Sequence, residues 1–316
     1  VAAFCYAFLL LASCSSVKNF SSIEKNQFFN FDPEVRALIN TPAIFDPAKQ
    51  TCLILYALPN GNSIEMTAGR TMIPDLDWHY DIQHIAAQTR FIRSQVDDQN
   101  IIVAYLECGG KSWPAWRQKH ENNSAAIARI VDYVRFETKY PKSVMLSGHS
   151  GGGSFITGYI NAFDTIPEFI DRIAYLDANY SFDDSLHHGQ KLFDWLKRDT
   201  SHTLAVIAYD DREIVFNGKK VIGPTGGTFR ATQRMIQSFA ARTEVTSRQD
   251  STLIQYSALN NRARFIIHTN PDTLILHTVL VEKNGFVHSV LMNTTREEKN
   301  YKFFGNRAYT NLIAEE

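Results

Sequence analysis

The sequence predicts an α/β protein: a mostly parallel central sheet flanked by helices on both faces, a three-layer αβα sandwich. Short apolar runs alternate with amphipathic stretches from about residue 51 onward, the pattern of strands covered by crossover helices. Pro, Asn and Gly punctuate these runs, where a chain must turn between elements. The 316 residues, 44% of them apolar, are enough to bury such a sheet within one domain.

The elements follow in order. Residues 51–58 (TCLILYAL) form a buried strand that breaks at Pro59-Asn60-Gly61-Asn62. Residues 81–96 carry apolar side chains at helical spacing, and 101–107 (IIVAYLE) form a second strand ended by Gly109-Gly110. A helix over 124–140 stops before Pro141, and 143–147 (SVMLS) form a third strand, consistent with the bias against helix before proline. Strands follow at 172–176 (RIAYL) and 204–208 (LAVIA), with a helix over 186–196 between them. A helix over 228–241 and a last strand at 273–280 (TLILHTVL) complete the pattern. Residues 20–50 are less determined and supply one or two edge strands or wrap the sheet.

The first residues have a different character. Ala2 to Ala12 form an apolar run too short to span a bilayer and suited to a signal-peptide core. It ends in Leu11-Ala12-Ser13-Cys14, which resembles a bacterial lipobox, so residues 1–13 are expected to be a signal peptide and Cys14 the lipidated residue. Residues 14–24 then form a tether, and 25–316 one domain. No Lys or Arg precedes the apolar run, and an ordinary secretory signal is the alternative. Either sends the chain out of the cytoplasm, and the lipobox places it on a membrane of the bacterial envelope. The remaining cysteines, Cys52 and Cys108, fall at opposite ends of neighbouring strands and are expected to stay unpaired.

Gly148-His149-Ser150-Gly151-Gly152 fits the pattern G-x-S-x-G. Its context gives it weight, because the strand SVMLS precedes it and a helical stretch, Phe155 to Ile160, follows. A serine between glycines on such a strained turn is exposed for attack and sits at a positive helix end. With the surrounding strand–helix order, this segment resembles the α/β-hydrolase superfamily over roughly residues 51–290. The resemblance implies a serine hydrolase working through an acyl-serine intermediate, with a triad in the chain order Ser, Asp or Glu, His. It names a mechanism rather than a substrate: esterases fit best, and peptidases or acyltransferases of the same fold are alternatives. A non-catalytic envelope lipoprotein is the alternative of a different class.

On that resemblance Ser150 is the nucleophile and His288, in the turn after the expected last strand, is the base. His277 falls inside that strand and reads as structural, and His268 at another strand end is a weaker rival. Asp211 after LAVIA ranks first as the acid, Asp177 after RIAYL second and Asp210 third. The oxyanion hole combines the Gly151 N–H with a donor at Asn60 or Gly61. His149, Trp113, Trp116 and Arg117 are candidates for substrate contact, with stacking and carboxylate binding as their chemistry.

Thirty-two Lys and Arg against 33 Asp and Glu leave no global field directed at nucleic acid. No glycine-rich phosphate loop follows a strand, and His79 and His84 are poorly spaced for a metal. No cofactor and no metal are expected. The expected partner is a small-molecule or envelope-polymer substrate, with the membrane reached through the lipid anchor.

Overall fold

The computed structural model describes residues 18–315. The apolar leader and Cys14 lie outside the described residues, so the signal peptide and lipidation remain readings of sequence. The strands are β1 (Glu24–Phe31), β2 (Val35–Pro42), β3 (Gln50–Ala57), β4 (Gln99–Cys108), β5 (Ser143–His149) and β6 (Ile170–Leu176). They continue with β7 (Thr203–Tyr209), β8 (Val215–Phe216), β9 (Lys219–Lys220), β10 (Val245–Gln249), β11 (Leu253–Ala258) and β12 (Ala263–His268). The helices are α1 (Ile64–Ala68), α2 (Ile85–Gln95), α3 (Trp113–Lys119), α4 (Asn123–Glu137), α5 (Gly153–Asn161), α6 (His188–Arg198), α7 (Thr228–Ala240) and α8 (Phe286–Leu291).

Ten strands form one sheet in the order β1-β2-β4-β3-β5-β6-β7-β12-β11-β10, and β8 and β9 make a separate hairpin. The six central strands, β4 to β12 in that order, are parallel, while β1 and β2 at one side and β11 and β10 at the other are joined by antiparallel pairing. This is the expected mostly parallel sheet flanked by helices.

Side-chain alternation along β3 shows why both faces are covered. Leu53, Leu55 and Ala57 join a core with Ile127 and Val134 of α4, Phe155 and Ile156 of α5, Trp195 of α6 and Phe239 of α7. Ile54 and Tyr56 point the other way, into a core with Ile85 and Ile92 of α2 and Val287 and Leu291 of α8. A strand's two-residue period makes a continuous apolar run serve two layers at once. Cys52 pairs across from Ile101, whereas Cys108 pairs with Val35 at the far end of β4; both thiols are free.

One element departs from the sequence reading in a way that matters for the site. Residues 273–280 are not a strand: they form an irregular loop that turns at His277 and then enters the helical segment leading to α8. The final parallel strand is β12, ARFIIH, buried along its whole length. Asn270 explains the difference. Its side chain accepts from Leu274 N and donates to Leu274 O and Asp210 O, supplying the backbone partners a strand would otherwise provide. Leu274 and Ile275 remain exposed and Leu276 is buried, so the apolar run reflects a loop with mixed exposure.

Candidate active site

The turn after β5 is built around backbone proximity. Ser150 has φ +54, a left-handed conformation that costs energy for a residue with a side chain. The chain reverses there into a single 3₁₀ turn, Ser150–Gly152, and continues as α5. Gly152 passes so close to the Ala57 carbonyl that a Cβ would collide with it, and a Cβ on Gly151 would collide with the Asn60 side chain. The glycines of the motif are therefore required by the approach of β3 and its following loop to the turn.

Asp177 follows β6 directly, with φ +48, and is fully buried. Its N–H donates to Ile207 O, which fixes it across the tips of β6 and β7. Its Oδ2 accepts from His277 Nδ1 at 2.5 Å, and its Oδ1 accepts from the Thr228 hydroxyl. A carboxylate at 2.5 Å fixes the proton on Nδ1 and leaves Nε2 of His277 as the basic nitrogen. The His277 ring packs on the ring of His149, with centroids 4.5 Å apart, and the His277 carbonyl accepts from His149 Nε2 at 2.9 Å. His277 is thus joined to the residue immediately before Ser150.

Burial, reinforced by neighbouring His277, pushes His149 well below the ordinary histidine range. His149 is therefore neutral, with its proton on Nε2, since a carbonyl only accepts. It is 1% exposed. It holds the His277 loop and does not face substrate, which corrects the expectation that it contacts substrate.

The expected base, His288, lies elsewhere. It sits on α8, whose Ser289 and Met292 carbonyls accept from Arg172, near the start of β6 and so towards the sheet edge opposite Asp177. The His288 ring stacks on Phe303 at 5.0 Å, its Nδ1 meets the Tyr301 hydroxyl at 3.2 Å, and its Nε2 is 4.0 Å from Glu297. Burial and the adjacent Arg264 charge push it down to about 4. His288 is a packed core residue, and the histidine that meets a carboxylate at the β6–β7 tips is His277. With β12 as the last parallel strand, the loop that follows it carries His277, nine residues after His268. His268 itself is occupied as an acceptor from Asn270 N.

Of the three acid candidates, Asp177 alone contacts His277. Asp210 is paired with Arg212 at 2.6 Å. Asp211, ranked first from sequence, is 1% exposed and accepts from Thr228 N at 2.7 Å. Burial, and then the neighbouring Asp177 charge, pushes it up to about 6. Thr228, which joins the two carboxylates, was not anticipated; its position at the start of α7 after Gly226-Gly227 was the available signal.

Gly151 lies in the first turn of the helical segment, where an N–H has no intrahelical acceptor. The Asn60 side chain rests against it, and among the described residues Asn60 N–H has no backbone acceptor. Gly61 is excluded as the second donor because its N–H is already given to Lys111 O at 2.8 Å. Gly151 follows Ser150 directly and is in contact with the Asn60 side chain, which leaves Gly151 and Asn60 as the candidate pair.

The aromatic candidates are structural. Trp113 and Trp116 are each 1% exposed, and their indole N–H groups donate to Leu106 O and Pro33 O. Arg117 donates to Ser154 and Asn123, tying α3 to α4 and α5. These three pack the loop after β4 onto the sheet and do not line a substrate pocket. Exposed apolar side chains at the carboxyl edge come instead from Leu274 and Ile275, from Tyr180, and from Val215, Phe216 and Val221 around the β8–β9 hairpin. Among the described residues, no cluster of three or more His, Cys, Asp or Glu side chains forms a set of metal ligands.

No protein-family model matches the chain, and no curated protein matches it in sequence. Among solved structures it is similar to the siderophore hydrolase EstB from Aspergillus nidulans, at 11% identity and a TM-score of 0.45, over 89% of this chain and 99% of that one. It is similar also to a thermophilic esterase from Thermogutta terrifontis with propionate bound, at 10% identity and a TM-score of 0.44, over 85% and 94%. A third is poly(aspartic acid) hydrolase-1 from Sphingomonas sp. KT-1, at 13% identity and a TM-score of 0.40, over 69% and 86%. Likenesses this distant do not transfer an activity, and the chemistry rests on the residues themselves.

Proposed function

We propose that the chain is a serine hydrolase that cleaves esters through an acyl-Ser150 intermediate. The observation that carries this reading is the Asp177–His277 pair at 2.5 Å, with His277 packed on His149, the residue before Ser150 and its left-handed turn. His277 Nε2 takes the serine proton as Oγ attacks the ester carbonyl, and Asp177 stabilises the imidazolium that forms. Gly151 N–H and Asn60 hold the oxyanion of the tetrahedral intermediate. His277 then delivers the proton to the leaving alcohol, and water repeats the sequence to release the acid. The apolar rim at Leu274, Ile275, Val215 and Phe216 suits an uncharged acyl or alkyl group better than a charged peptide.

A panel of p-nitrophenyl esters from acetate to decanoate tests this. Wild type is expected to turn over at least one of them, and Ser150→Ala and Asp177→Asn to lose that turnover. Equal turnover by Ser150→Ala and wild type would refute it. Export and Cys14 acylation belong to the same proposal and rest on sequence. In a bacterial host, Cys14→Ser is expected to move the protein from the membrane fraction to the soluble one.

A further inference from the structure

We propose that Asp211 is a second carboxylate of the acid–base system, held behind Asp177 through Thr228, and that its charge supports the protonated state of His277. The proposal rests on His277 acting as base for Ser150. Thr228 bridges the two acids: its hydroxyl donates to Asp177 Oδ1 and lies 3.4 Å from Asp211 Oδ2, while its N–H donates to that same Oδ2 at 2.7 Å. A hydroxyl has one proton to give, so Asp177 receives it and Asp211 faces the oxygen without a hydrogen bond from it.

Asp211 is poorly provided for as an ion. Its Oδ1 is buried without a partner, and among the described residues no cation pairs with it. The adjacent Arg212 is turned to Asp210 with two hydrogen bonds and lies over the Phe229 ring. The other ionisable groups facing Asp211 are Asp177 from the end of β6, Tyr180 from the turn after it, and Tyr209 from the end of β7. None of them supplies a positive charge. A helix cap alone does not call for this arrangement, because Asn or Ser would accept from Thr228 N equally well without setting two carboxylates together. Among the described residues, the nearby group that acquires positive charge during the proposed reaction is the His277 ring, bonded to Asp177 Oδ2. Negative charge at Asp211 therefore favours the imidazolium through the same short chain of contacts that orients Asp177.

Asp211→Asn keeps an acceptor for Thr228 N and removes the charge. In p-nitrophenyl acetate hydrolysis, the acid limb of the kcat/KM profile is expected to move to lower pH by roughly half a unit or more. The plateau kcat should stay within about tenfold of wild type, against a loss of about a thousandfold or more for Asp177→Asn. An unmoved acid limb in active Asp211→Asn would overturn the proposal and leave the triad intact. An inactive Asp211→Asn beside an active Asp177→Asn would overturn the proposal and the triad assignment together. Should Asp211→Asn fail to fold, the ring carbon shifts of His277 in wild type are followed against pH. Two inflections, one from the ring and one from Asp211, are expected, and a single inflection would overturn the proposal.

Discussion

Replacing His288 and His277 separately by alanine should divide stability from activity. His288 is 2% exposed, stacked on Phe303, and its Nδ1 meets the Tyr301 hydroxyl at 3.2 Å. Removing the ring opens a cavity worth about 2 kcal/mol for a side chain of this size. It also leaves a mostly buried Tyr301 hydroxyl without its partner, for about 1 kcal/mol more. A loss of about 3 kcal/mol lowers Tm by on the order of 5–10 °C in a domain of this size. His288 is pushed down to about 4 in the folded protein. Its contribution is therefore present above the ordinary histidine value near 6.5 and fades as pH falls towards 4. The deficit of His288→Ala should shrink along the same path, and kcat/KM of the folded variant should stay within about threefold of wild type. His277, with 26% of its side chain exposed, loses less packing but leaves buried Asp177 without its His277 partner, so Tm should fall by no more than about 5–10 °C while kcat drops by about 10³–10⁴. Paired thermal melts and p-nitrophenyl ester kinetics read both quantities. A catalytic loss at His288→Ala with full activity at His277→Ala would refute the assignment of the base.

Asn60→Ala keeps the backbone N–H assigned as donor and removes only the side chain that rests on Gly151, so kcat should fall by no more than about tenfold with little change in KM; steady-state kinetics check it. His149→Phe keeps a buried ring but removes the donor to the His277 carbonyl, so kcat should fall about tenfold and chemical denaturation should show a loss of about 1 kcal/mol. Asp211 is raised from its ordinary 3.8 to about 6, so the fold favours its protonated form and loses that contribution as pH rises through 6. Asp211→Asn should therefore be more stable than wild type at pH 8, by at most about 3 kcal/mol, with the gain vanishing near pH 4; melts across that range test the sign.

The turn that carries Ser150, the proposed nucleophile, was legible because its requirements are local: a buried strand, two close glycines and a helix all lie within a short stretch around it. The position of His277, the proposed base, was not, because it depends on where the sheet ends. TLILHTVL has strand composition, yet Asn270 closes a turn that draws it into a loop. ARFIIH carries Arg264 in a buried strand, where the charge is met by Glu297 at 2.5 Å from a distant segment. No local pattern announces that partner. Asp177 and Asp211 were hard to separate for a related reason, since each follows a strand and only the path of the His277 loop, which reaches Asp177, distinguishes them. Trp113, Trp116 and Arg117 were misjudged because composition near a catalytic edge says nothing about direction, and all three point into the layer beneath it.

The most direct test of the Ser150–His277–Asp177 account is the site and rate of fluorophosphonate attachment, read by peptide mass spectrometry across four proteins. Wild type and His288→Ala are predicted to carry the adduct on Ser150 at similar rates, His277→Ala to acquire it at least a hundredfold more slowly, and Ser150→Ala to remain unmodified. An adduct on another residue, or rapid labelling of His277→Ala with none of folded His288→Ala, would contradict the account.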